Sequence, residues 1–193
     1  MDQHDSTIDK LQKPLTVREQ FELMGWLLAG LWTVEIIDNL LLGGSLDNYG
    51  IRPRVPAGLL GIPLAPFLHG GFAHLTANSI PLAVLGWLTL SRGFLSFVSV
   101  SAIITAVGGF GVWLVGAENS VHIGASILIF GYLGFLLTVG LKTRTLRDVL
   151  TSVIVGAIYG SMVWGVLPGD AGISWEGHLF GFLGGVLSAH KVR

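Results

Sequence analysis

The sequence predicts an all-α, polytopic membrane protein: one bundle of six spanning helices, with a segment in the outer leaflet between the first and second. Three observations lead there. Of 193 residues, 51% are hydrophobic and 12% charged, against about a quarter charged in ordinary soluble domains. Mean hydropathy is +0.70, and the apolar residues fall into six runs, each near the roughly 20 residues that cross a bilayer. The 28 glycines are spread through those runs, where small residues let helix backbones approach closely in lipid.

Residues 1–23 mix both charge signs and follow neither a signal-peptide nor a transit-peptide plan, so they read as a cytosolic tail before a membrane domain at 24–193. The six runs, bounded by Gly, Pro and charge, lie at 24–42, 74–91, 94–116, 122–140, 147–167 and 175–191. Between the first two, residues 43–72 are too rich in Gly and Pro to span and too apolar for an exposed loop. They are expected in or on the outer leaflet.

Basic residues set the orientation, because Lys and Arg concentrate on the cytoplasmic side. With the N-terminus inside, Lys10, Lys13, Arg18, Arg92, Lys142, Arg144, Arg147, Lys191 and Arg193 are cytoplasmic, and Arg52 and Arg54 lie outside. The outer connectors then carry Asp47, Glu118, Asp170 and Glu176. Both termini are expected in the cytoplasm of a bacterial-type plasma membrane.

Composition also narrows the chemistry. A net charge of -1 gives no basic surface for nucleic acid, and the absence of cysteine removes disulfides and thiolate metal sites. No His-Glu-x-x-His is present, so neither a metal nor a cofactor is expected. Any reaction must use oxygen and imidazole.

Under this orientation the second, fourth and sixth helices all enter from the outer face, so their first turns share one depth. Those turns carry His74 and Asn78, Ser126, and His178. Polar groups inside a membrane are costly and by default point to function. A serine needs a base to take its proton, and His178 is the base in this layer. His74, the Asn78 amide and the free N–H groups opening the fourth helix can face an oxyanion. No acid is evident beside His178, which makes the expected arrangement a dyad. Individually these residues have plainer explanations: back-bonding for Ser126, interhelical bonding for Asn78 and wetted boundary positions for His69 or His122. Their coincidence at one depth is what argues for a site.

At these residues the chain resembles the rhomboid intramembrane serine proteases. HGGFAHLTAN carries the His-x4-His-x3-Asn spacing on His69, His74 and Asn78; GASI matches Gly-x-Ser-Gly at its first three positions, with Gly124 and Ser126; GHLFGFLGG resembles His-x2-Gly-x3-Gly on His178, Gly181 and Gly185. The resemblance implies a six-helix bundle with a water-filled cavity open to the outside, cleaving single-span membrane proteins near their outer end. It makes Ser126 the nucleophile and His178 the general base, with His74, Asn78 and the Ser126 N–H stabilising the oxyanion. His69 would organise the cavity mouth. Phe130 occupies the position from which an aromatic ring packs on the catalytic imidazole, although plain core packing explains it equally.

The helix faces fit this picture. Gly177, Gly181 and Gly185 form a small stripe with His178 on the sixth helix, and Ile127, Gly131 and Gly134 form the facing stripe on the fourth. Ile127 departs from the family, which places glycine after the serine. A β-branched side chain there either wedges the two helices apart or enters a gap left by small residues such as Gly177; the intact polar set favours the second outcome and retained activity.

Glu35, Asp38 and Asn39, in the outer half of the first helix, are expected to face the bundle or the outer-leaflet segment, where Arg52 or Arg54 can pair with them. The connector LPGDAGIS, residues 167–174, suits a mobile cap above the site. The expected partners are transmembrane-helix substrates and the lipid bilayer. The alternative is a catalytically inactive rhomboid-like protein that binds transmembrane helices. A transporter lacks a polar path to the inner face.

Overall fold

The computed structural model describes residues 14–169 and 172–191. Most of the predicted tail, with Lys10 and Lys13, lies outside the described residues, as do Arg193, Asp170 and Ala171 of the predicted cap. Six long helices follow in order: α1 Val17–Ile37, α2 Phe72–Leu90, α3 Phe94–Val115, α4 Ser126–Thr143, α5 Leu146–Tyr159 and α6 Trp175–Ala189. Among the described residues there is no strand, and Ile51 and His122 form an isolated antiparallel bridge.

Four stretches are long and apolar enough to cross a membrane: Val17–Leu42, Phe94–Val115, Ser126–Thr143 and Leu146–Val166. Helix α2 has the length, with 19 residues, but His74, Thr76, Asn78 and Ser79 dilute its apolar character. Helix α6 has 15 residues, about 22 Å at 1.5 Å per residue, short of the roughly 30 Å hydrocarbon core. The two helices that fall short carry three of the four polar side chains of the expected site.

Local chemistry explains where the ends fall. A capping box starts α1, with the Thr16 hydroxyl accepting from Glu19 N–H and the Glu19 carboxylate accepting from Thr16 N–H. Helix therefore begins at Val17, inside the predicted tail. The chain leaves α1 through a π-turn, Asp38–Leu42, which ends at left-handed Gly43. Helix α4 starts at Ser126, later than the predicted 122, because Gly124 at φ +117° cannot be helical. Helix α5 tightens into a 3-10 turn over Gly160–Val166.

Helix α4 is the centre of the molecule: 61% of its spanning window is buried, against 6% for Leu146–Val166. Tyr132, Leu133, Phe135 and Leu136 form its buried face. Against α6 the contact is backbone to backbone. A Cβ on Gly185 would lie 1.8 Å from the Gly131 carbonyl oxygen, one on Gly181 2.4 Å from that of Ile127, and one on Gly134 2.4 Å from that of Phe182. At the opposite end from Ser126, Arg92 bridges to Asp148, which also accepts from Thr143 Oγ1 at 2.6 Å. Arg147 reaches Ser91 at 3.0 Å, and Lys142 caps the Ala189 carbonyl at 3.1 Å. Trp26, Leu41, Leu60, Ile80 and Trp164 point outward, as a lipid-facing surface requires.

Residues 43–72 form short helical turns anchored on α3. Arg54 N–H donates to Trp113 O at 2.9 Å, and Trp113 Nε1 donates to Val55 O at 2.9 Å. The expected pairing of Arg52 or Arg54 with the acids of α1 does not form. Arg54 instead meets Glu118 at 3.6 Å and the Leu114 carbonyl at 3.0 Å. Glu35 and Asp38 are buried and use nearer donors, Asn39 Nδ2 at 2.6 Å and Leu46 N–H at 2.9 Å.

Asp47, in the turn after α1, has a buried Oδ1 with no hydrogen-bond partner among the described residues. Burial, then the charges of Asp38 and Glu35, push its carboxyl up from 3.8 to about 6. The folded protein therefore binds the Asp47 proton more tightly than the unfolded chain, and that stability is lost as pH rises from 3.8 through about 6. Replacing the group with a neutral one removes the cost of its ionised form. Asp47→Asn is expected to raise the thermal midpoint of the detergent-solubilised protein at pH 8 and to leave it nearly unchanged at pH 4.

Candidate active site

One cavity of about 820 Å³ opens at the Ser126 end of α4. His74, Asn78 and Pro81 of α2, Ser126, Ile129 and Phe130 of α4, and His178 of α6 line it, with Ser120 and His122 from the α3–α4 connector and Ser174 and Glu176 at the start of α6. Ser126, His178, His74 and Asn78 thus share one cavity.

The His178 side chain is held in a single orientation. Its ring stacks on Phe130, with centroids 3.9 Å apart and planes 7° from parallel. Its Nδ1 lies 2.9 Å from the Gly165 carbonyl oxygen. A carbonyl only accepts, so Nδ1 carries the hydrogen and Nε2 keeps its lone pair. This is the tautomer a general base requires, and a main-chain carbonyl does the orienting work that a carboxylate does in a Ser-His-Asp triad. Gly165 also leaves the room, since a Cβ there would lie 2.9 Å from the Phe130 ring.

Ser126 is the first residue of α4, so its N–H has no intrahelical acceptor. Its hydroxyl makes no hydrogen bond among the described residues, to His178 or to its own helix. Two side-chain donors share the cavity. The Asn78 Nδ2 is buried and unpartnered among the described residues. His74 accepts from Gly70 N–H at Nδ1, at 3.4 Å, which leaves the hydrogen on Nε2. Gly124 brings that ring close to the serine turn: a Cβ there would lie 2.8 Å from His74 Cε1 and Nε2.

Two histidines read from sequence as boundary positions are buried and bonded. His69, 1% exposed, stands behind the cavity wall and accepts from Ala125 N–H at 3.2 Å, so it braces the turn before Ser126. His122 joins two hydroxyls. Ser120 Oγ donates to Ala117 O at 2.6 Å, so at 2.7 Å it accepts from His122 Nε2–H. His122 Nδ1 then accepts from Ser174 Oγ at 2.6 Å. Ser174 in turn caps α6, accepting from Gly177 N–H at 3.3 Å. His122 thereby ties the Ser126 connector to the start of the helix carrying His178. Sequence reasoning named His122 without assigning it work; the signal for this network was Ser174 immediately before an apolar helix, a cap in search of a second partner.

Together these features define an all-helical, multi-pass membrane protein with a serine, imidazoles and a buried amide in one cavity. The sequence pattern of the Rhomboid domain family matches residues 57–193. The chain belongs to the rhomboid family. It is 46% identical over 173 residues to an uncharacterized protein of Mycobacterium tuberculosis, covering 86% of this chain and 72% of that one. An uncharacterized Mycobacterium leprae protein is 43% identical over the same length, 86% of this chain and 68% of its own. A Bacillus subtilis protein named "Putative rhomboid protease YdcA" is 29% identical over 122 residues, 62% of this chain and 60% of its own. No solved structure matches the chain.

Burial lowers the His122 pKa, against a smaller upward pull from Glu176. The neutral ring is the form its two hydrogen bonds describe, and the stability it lends is lost as pH falls below the unfolded value of 6.5. His122→Ala leaves the half-buried Ser174 Oγ without its acceptor, a loss of about 1 kcal/mol. Amide hydrogen exchange in the first turn of α6 is expected to speed selectively, while exchange in α1 is unchanged.

Proposed function

We propose that the protein is an intramembrane serine endopeptidase that cleaves single-span membrane proteins near the outer face, with α1–α6 all crossing the bilayer and both termini cytoplasmic. The observation that carries this reading is the 2.9 Å contact of His178 Nδ1 with the Gly165 carbonyl, which in the neutral ring leaves Nε2 basic in the cavity that holds an uncommitted serine hydroxyl.

The steps follow from these groups. Ser126 Oγ attacks the scissile carbonyl carbon as His178 Nε2 takes its proton, and the carbonyl π electrons move to oxygen. Ser126 N–H, His74 Nε2–H and Asn78 Nδ2 donate to that oxyanion. Collapse breaks the C–N bond, and His178 returns its proton to the leaving amine. Water then attacks the acyl-enzyme, gives its proton to His178, and releases the acid as Ser126 recovers its hydrogen. A helical carbonyl is already bonded and shielded, so the substrate must unwind before it reaches Ser126. Helix α5, in the least buried of the four long apolar stretches, is the edge along which it enters. Residues 43–72 lie in the outer leaflet on the α3 side of the bundle, and residues 167–174 act as the cap of the site.

The test is reconstitution of the purified protein in liposomes with single-span substrates and a fluorophosphonate probe. Wild type should label and cleave, and both Ser126→Ala and His178→Ala should lose labelling by at least about 100-fold, the low end for removing a general base. A wild type that neither labels nor cleaves, with activity appearing in Ile127→Gly, would establish instead a rhomboid held inactive by packing, as the helix-binding alternative requires.

A further inference from the structure

Ile127 follows the proposed nucleophile and is 3% exposed, yet no helix is pushed away from it. Its side chain occupies a notch made by glycines of two other helices. A Cβ on Gly108 of α3 would lie 2.5 Å from Ile127 Cγ2, and one on Gly177 of α6 would lie 3.1 Å from Ile127 Cγ1. Neither Ile127 carbon is the far end of a flexible chain, so neither can swing aside cheaply. Gly108 also faces Gly181, whose Cα and N would lie 3.3 Å from the same added carbon.

One turn further along the bundle, the pattern repeats with the partners exchanged. Ile104 of α3, four residues before Gly108, fills the space beside Gly131 of α4, four residues after Ile127; a Cβ on Gly131 would lie 2.2 Å from Ile104 Cγ2. Helices α3 and α4 therefore interlock as two reciprocal isoleucine-into-glycine pairs, 127 into 108 and 104 into 131. Helix α6 closes over both, since Gly181 meets the Ile127 carbonyl and a Cβ on Gly184 would lie 3.0 Å from Ile104 Cα.

We propose that Gly108 is a positioning residue for the Ser126–His178 pair: it admits Ile127 and so lets α6 seat on α4 although the glycine after the serine is missing. This inference rests on the protease reading. Ser126 is covalently next to the key, and His178 stands three residues before Gly181 on the helix that the notch locates. A wedge at Gly108 presses on Ile127 and on Gly181, so it moves the nucleophile and the base relative to each other without touching either.

The full-length protein in liposomes carries the test, with fluorophosphonate labelling as the rate and the thermal midpoint recorded alongside. Gly108→Ala should lower the maximal labelling rate by about 10-fold or more, since about 1 Å of misplacement costs on the order of 100-fold. The half-saturating probe concentration should stay within about twofold, as the cavity walls are intact. Gly108→Ala with Ile127→Ala should recover to within about threefold of Ile127→Ala alone, a coupling of the kind that contacting residues show. Gly25→Ala, with nothing within 4 Å of its added carbon, is the control and should label as wild type. An unchanged rate in Gly108→Ala, or a double variant no better than additive, overturns the inference and leaves the protease reading standing. If Gly108→Ala fails to fold, recovery of both folding and labelling in the double variant supports the key, and failure to recover overturns it. A wild type that never labels refutes the protease reading and takes this inference with it.

Discussion

The contact on which the rest of the structure depends is the backbone approach of α6 to α4. At Gly185 and Gly131 the two chains are so close that no side chain fits between them, and at Gly181 the Ile127 carbonyl takes the space of a Cβ. In lipid there is little hydrophobic drive between helices, so van der Waals contact of this kind is what holds them. Everything at the other end of the bundle inherits its geometry. Ser126 opens α4 and His178 sits in the first turn of α6, so the two helices bring hydroxyl and imidazole into one cavity only because their backbones meet below it.

A second set of bonds adjusts that end of the molecule more finely. His178 is clamped between Phe130 and the Gly165 carbonyl. His69 holds the turn before Ser126, and His122 links the same connector to the cap of α6. Two of these imidazoles hold backbone or cap in place, and the third is left with a free Nε2. The chemistry of the layer is therefore divided between imidazoles that fix structure and an imidazole that structure leaves basic.

Much of this was legible in the sequence, for identifiable reasons. The six apolar runs correspond to six long helices, and His74, Asn78, Ser126 and His178, read from sequence as lying at one depth, line one cavity. The glycine stripes on α4 and α6 are visible at helical spacing. Other features needed coordinates. Sequence offers His69 and His122 as isolated ring nitrogens, and the Ala125 N–H and Ser174 hydroxyl they accept from lie 56 and 52 residues away. Asp38 meets the outer-leaflet segment, as its position suggests, but through Leu46 N–H that the π-turn folds back onto it and not through arginine, and Glu35 finds Asn39 one turn away. The apparent misfit at Ile127 resolves only with α3 in view, since Gly108 lies 19 residues away in the chain and no motif joins the two.

The central claim is that helix packing aims Ser126, His178 and the three donors at one reacting carbonyl. An experimental structure of the protein after reaction with a fluorophosphonate tests it most directly, because the phosphonyl oxygen marks where an oxyanion would sit. The account predicts phosphorus bonded to Ser126 Oγ, with its oxygen within hydrogen-bond distance of Ser126 N–H, His74 Nε2 and Asn78 Nδ2, and with His178 Nδ1 still on Gly165. An adduct on another residue, or a phosphonyl oxygen turned away from both His74 and Asn78, would contradict it.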